Sequence, residues 1–94
     1  MEPRKKKLLV LSSRAPLEAM RVAAGLTIFG HEVALVFTGQ PLSLEVMESE
    51  TAELLELSDI EPETTIPEMA QILNLLDSEA LARAIIQADG VINI

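Results

Sequence analysis

Cysteine is absent from the 94-residue chain, and with it go disulfides, thiolate metal ligands and any thiol nucleophile. A small secreted fold held together by bridges is excluded. Tryptophan and tyrosine are absent too, and Phe29 and Phe37 are the two aromatic residues, so a core has to be built from Leu, Ile, Val, Met and Ala. His31 is the single histidine, which removes most histidine relays and His-rich metal sites. No Gly-x-Gly-x-x-Gly or Gly-x-x-x-x-Gly-Lys-Ser/Thr string occurs, so dinucleotide and P-loop readings have no support. Ser12 and Ser13 stand where a receiver-type phospho-acceptor domain would place paired acids. No nucleophile is paired with a base. The expectation is a protein that is not an enzyme, with no cofactor and no metal site.

Basic residues are few, and the net charge of −8 argues against a general affinity for nucleic acid. Residues 1–40 carry six Lys or Arg against three Glu, whereas residues 41–94 carry twelve acids against Arg83 alone. Arg4-Lys5-Lys6-Lys7 followed by Leu8–Leu11 has the outline of a secretory signal. Its apolar run stops after four residues, short of the roughly 7–15 such a signal needs. No window approaches the roughly 20 apolar residues of a membrane span. A cytoplasmic protein that binds neither membrane nor nucleic acid is expected.

What is present points to an α/β fold. Arg21–Gly39, RVAAGLTIFGHEVALVFTG, reads as a helix, a one-glycine stop at Gly30 and a strand. Val33–Phe37 is an unbroken apolar run of β-formers, as expected for a strand covered on both faces of a parallel sheet. Lys7–Ser12 reads as a first strand, central in the sheet. Pro16 is placed near a helix start, where its missing N–H costs nothing, and the helix runs from about Leu17 to Phe29. That helix is apolar around most of its circumference, with Glu18, Arg21 and Gly25 on one narrow stripe, which predicts contact with both the sheet and a neighbouring subunit.

Leu42–Leu57 predicts one exposed amphipathic helix, with a strand at Leu44–Met47 as the competing reading; the helix propensity of Glu and Leu favours the first. Ser58–Thr65 reads as a loop. Thr65-Ile66-Pro67-Glu68 has capping-box spacing for a short helix toward Leu75, although Gln71–Leu76 fits a strand as well. Glu79–Ala88 predicts a helix capped by Asp77 or Ser78, with Glu79 and Arg83 paired at i, i+4 and Leu81, Ala84, Ile85 and Ala88 as the buried face. Val91–Ile94 completes the chain as a strand. The whole of 1–94 reads as a single domain, three-layered and Rossmann-like, around a short, mostly parallel sheet of about four strands. A chain this short buries only about 60–65% of its unfolded surface, so association would help it.

A right-handed β-α-β unit brings the loops after the first two strands to one edge of the sheet. Ser12, Ser13 and Arg14 therefore converge with Thr38, Gly39 and Gln40 at the edge where open α/β sheets bind ligands, and the first loop meets a helix N-terminus that attracts anions. These six residues are the candidate ligand, anion or docking site. The simpler readings are a capped polar turn and a tight turn before Pro41. His31 falls at the opposite edge and reads as a turn residue. The glutamates of residues 45–56 could suggest a hard-cation site, but helical spacing spreads them over a solvated face.

Three strings carry a family resemblance: Leu8–Pro16, Gly25–Gly39 (GLTIFGHEVALVFTG) and Ala80–Ile94 (ALARAIIQADGVINI). In them the chain resembles the DsrE/DsrF family of small sulfur-relay proteins, which includes the TusBCD subunits. The resemblance implies a Rossmann-like layered fold, a cytoplasmic location and assembly as a homo-oligomer or a hetero-oligomer with DsrE-like subunits. It also implies a part in passing persulfide sulfur between carrier proteins. Active members carry that sulfur on a loop cysteine, which this chain lacks, and the region between Gly39 and Ile60 is shorter than usual. The expectation is thus a non-catalytic DsrE/DsrF-like subunit or docking protein of sulfur trafficking, with a cysteine-bearing sulfur carrier as its partner. The alternative is a small-ligand or anion-binding α/β module using the Ser12–Arg14 loop.

Overall fold

The structure is a computed structural model that describes residues 5–94; Arg4 of the basic lead-in lies outside the described residues. Five parallel strands form one sheet in the order β4-β3-β2-β1-β5. β1 (Lys7–Ser12), α1 (Pro16–Ile28) and β2 (Glu32–Phe37) make the expected β-α-β unit, and β2 is the middle strand. α2 (Leu44–Met47) and α3 (Glu50–Leu57) lead to β3 (Glu63–Thr64). A single 3-10 turn at Pro67–Met69 leads to β4 (Asn74–Leu75), and α4 (Ser78–Gln87) crosses back to β5 (Gly90–Asn93) beside β1. The fold is α/β and Rossmann-like.

Alternate residues of each strand face opposite sides of the sheet, and this divides the core. On one side Val10, Leu35 and Phe37 pack with Ala19, Met20 and Ala23 of α1, Leu55 of α3 and Ile60. On the other side Leu9 and Ala34 lie under Ala84 and Ala88 of α4. The layers are therefore α1 with α3, the sheet, and α4.

The two helices of the first layer stop in the same way. Beyond α1, Gly30 adopts φ +91, its N–H donates to the Thr27 carbonyl (2.9 Å), and the His31 N–H donates to Leu26 (3.2 Å). Beyond α3, Asp59 adopts φ 57, its N–H donates to Glu56 (3.1 Å), and the Ile60 N–H donates to Leu55 (2.9 Å). Both are Schellman closures. In the second, Ile60 and Leu55 are both buried in the core, so the stop also seats α3 against α1.

Several expectations are corrected. The sheet has five strands rather than about four, because Glu63–Thr64 pairs within the region read as a loop and Asn74–Leu75 pairs beyond it. Leu42–Leu57 is two helices. Ser43 Oγ accepts from the Val46 N–H and Ser49 Oγ from the Ala52 N–H, each at 3.2 Å, so each serine caps its own helix. The competing strand at Leu44–Met47 does not form.

The predicted helix from Thr65 shrinks to the single 3-10 turn. The Thr65 N–H donates to the Phe37 carbonyl (3.1 Å), which draws that residue into line with the sheet instead of a cap. Asp77 caps α4 by accepting from the Ala80 N–H at 2.7 Å. Arg83 pairs with Glu79 as expected, at 3.7 Å. None of Leu81, Ala84, Ile85 and Ala88 is fully buried, however, because α4 is the sole helix on its side of the sheet among the described residues. α1 buries Ala19, Met20, Ala23 and Ala24, while Ile28 and the following Phe29 stand exposed.

Candidate functional site

The carboxyl edge of the sheet is where the loops after β1 and β2 meet, and they meet closely. The Thr38 N–H donates to the Ser12 carbonyl at 2.7 Å and the Thr38 hydroxyl donates to the same oxygen at 3.2 Å. Gly39, at φ +89, lies so near the first loop that a Cβ there would stand 2.8 Å from the Ser13 carbonyl oxygen. The conformation and the approach both require glycine.

An open cleft of about 230 Å³ lies beside this junction. Ser12, Ser13, Arg14, Thr38 and Gln40 line it, with Phe37 in its wall. Five of the six predicted site residues are thus brought together, and Gly39 supports the junction rather than lining the cleft. Sequence reasoning missed the opposite wall of Leu42, Ser43 and Val46. The local signal for it was the serine cap at Ser43, which turns the chain into α2 behind Gln40 and Pro41.

The polar groups are unequally available. Ser12 is buried, and the Ser13 and Arg14 N–H groups both donate to the Ile94 carbonyl, at 3.3 and 3.2 Å. The Ser13 hydroxyl donates to Asn93 Oδ1 at 3.3 Å. In an open α/β sheet, ligands favour the crevice where successive crossovers diverge, here between β1 and β5. In this chain the Ile94 carbonyl accepts the N–H groups of the β1 loop there. The loop backbone expected to cradle an anion is therefore engaged, and the cleft opens instead between the β1 and β2 loops.

Two sets of donors remain. Arg14 is exposed and has no ion-pair partner among the described residues, whose ion pairs are Arg21–Glu18 and Arg83–Glu79. α1 starts without a side-chain cap, since Ala15 occupies that position. The Leu17 and Glu18 N–H groups of its first turn have no acceptor among the described residues. A planar guanidinium and a helix N-terminus at one rim can bind a carboxylate, sulfate or phosphate.

His31 lies at the other end of β2, where its Nδ1 accepts the Lys6 N–H at 3.2 Å, a turn role as expected. No group of three or more His, Asp or Glu side chains among the described residues could hold a metal ion. No helix among them is long and apolar enough to cross a membrane. The fold and the site define an α/β protein with a Rossmann-like parallel sheet and an open cleft of mixed polar and apolar lining at its carboxyl edge. No protein-family model, no curated protein and no solved structure matches the chain.

Proposed function

We propose that this protein is a non-catalytic binding module that holds a small anion, or an acidic group of a partner, in the carboxyl-edge cleft. The observation that carries the reading is the unpaired Arg14 at the rim of the cleft, beside the uncapped start of α1. The Ser13 and Thr38 hydroxyls are not poised as nucleophiles. Ser13 and Thr38 donate to Asn93 and Ser12, and the chain's one imidazole lies at the far edge of the sheet.

Sulfate or phosphate should raise the melting temperature more than chloride at equal ionic strength. A ligand held at about ten times its Kd adds about 1.4 kcal/mol by mass action, which for a chain of this size is a rise of about 6–11 °C. Arg14→Ala should abolish the difference. A difference that survives in the variant would place the binding elsewhere.

Sulfur trafficking is the second reading, favoured by the three family-like strings. They build β1 with its loop, the end of α1 with its turn into β2, and most of α4 with β5. In that reading the protein is a cysteine-less subunit that docks a cysteine-bearing sulfur carrier or a related subunit in the cytoplasm, with Arg14 as an anchor. The exposed Ile28 and Phe29 at the end of α1 suit self-association or association with such a subunit. A purified carrier of this kind should be retained in a pull-down. Arg14→Glu should weaken retention by more than Glu68→Lys does, because the exposed Glu68 lies away from the cleft. Equal losses, or no retention, would remove this reading and leave the anion site to stand on its own test.

A further inference from the structure

Beneath the α1–α3 layer a second opening runs in from the surface, separate in chemistry from the carboxyl-edge cleft. It is an apolar slot of about 290 Å³ with Met20, Phe37 and Leu55 among its lining residues and Met47, Ala52 and Glu56 at its mouth. On the outer surface of α2 and α3 lies a shallow groove of about 310 Å³, lined by Met47, Glu48, Ala52, Glu53 and Glu56. The two share Met47, Ala52 and Glu56. The slot and the groove therefore adjoin, an apolar lining beside three carboxylates.

Among the described residues, the charges of that groove have no ion-pair partner. The sequence contains no Lys or Arg between Arg21 and Arg83, and those two arginines pair with Glu18 and Glu79 on their own helices. Glu48, Glu53 and Glu56 are all exposed. They project an uncompensated negative field at the mouth of an apolar slot, the arrangement that draws in a cation attached to an apolar group. The slot is at the small end of the ligand-pocket range of about 300–1,000 Å³, so it suits an anchoring side chain rather than a bulky cofactor. Met20 and Met47 make it adaptable, since an unbranched thioether repacks around different shapes.

We infer that this site docks a basic segment of a partner protein, one apolar side chain entering the slot while neighbouring Lys or Arg side chains meet Glu48, Glu53 and Glu56. The field supplies attraction and orientation, and the slot distinguishes an anchored segment from any other cationic chain.

The chain's methionines report on it directly. Met20 and Met47 line the slot, while Met69, the buried last residue of the 3-10 turn, does not. The probe is a short amphipathic peptide of lysine and leucine, titrated into protein carrying 13C-methyl methionine at low salt. The Met20 and Met47 methyl signals should move together while Met69 stays in place. Replacing the peptide's leucines by alanine should remove the shifts at Met20. Combining Glu48→Gln, Glu53→Gln and Glu56→Gln should weaken binding by about tenfold or more. An unmoved Met69 signal in that variant shows that the fold is retained. If the alanine peptide binds as well as the leucine one, the attraction is bare charge and the docking site is refuted. Equal binding of a glutamate–leucine peptide, or motionless Met20 and Met47 signals, would overturn it as well.

Discussion

Phe37→Ala should destabilise the protein by about 3–5 kcal/mol, the usual cost of emptying a buried aromatic site. Phe37 is 1% exposed, ends the middle strand and packs with Met20, Leu35 and Leu55. Its backbone would stay anchored, since its carbonyl accepts the Thr64 hydroxyl at 3.0 Å and the Thr65 N–H at 3.1 Å. The loss is therefore one of packing. It removes a large share of the roughly 5–15 kcal/mol that holds a domain folded.

Phe29 is the internal control, being 77% exposed just beyond α1. Phe29→Ala should change stability by no more than about 0.5 kcal/mol in the isolated chain. Urea unfolding of the two variants measures the contrast. Similar costs for both would mean that the core is not centred on β2.

Gly39→Ala should cost about 2–4 kcal/mol, more than the same change at Gly30, where about 1–2 kcal/mol is expected. Both glycines adopt the left-handed region, at φ +89 and φ +91. A side chain at Gly30 would meet open space, whereas at Gly39 it would strike the Ser13 carbonyl oxygen at 2.8 Å. The difference between the variants isolates the close approach of the two loops. Spreading those loops should also blunt the response to sulfate, because they form adjacent walls of the cleft. Equal costs at the two positions, again by urea unfolding, would show that the loops do not meet as described.

The contrast between α1–β2 and the region after Ile60 shows what a sequence can and cannot convey. α1, its stop at Gly30 and β2 were legible because each rests on local signals: a proline at the start, a left-handed glycine at the end and an apolar run of β-formers. β3 and β4 are two residues each: Glu63-Thr64 is too short and too polar to show a period, whereas Asn74-Leu75 falls inside Gln71–Leu76, the segment that fits a strand as well as a helix. They are strands because their neighbours offer backbone partners, and that information is not local. The break between α2 and α3 was present only as Ser49, a cap inside a run of good helix formers. The end of α3 at Leu57 was legible, although the left-handed Asp59 that closes it has no signature as plain as a glycine.

The candidate site divides in the same way. The handedness of β-α-β units brings Ser12–Arg14 to Thr38–Gln40 whatever the details of packing, so their meeting could be read in advance. That the Ile94 carbonyl would engage the Ser13 and Arg14 N–H groups could not, since it depends on how β5 docks beside β1. The consequence is chemical. It shifts the candidate anion-binding groups from the loop backbone to the Arg14 side chain and the first turn of α1.

The central claim, an anion held by Arg14 at the carboxyl edge, is tested most directly by following the protein's backbone amide signals by NMR during a sulfate titration at constant ionic strength. Saturable shifts are expected, concentrated at Arg14, Ala15, Leu17, Glu18 and Thr38–Gln40, and they should vanish in Arg14→Ala. Shifts centred on Lys5–Lys7, or shifts that persist unchanged in that variant, would contradict it.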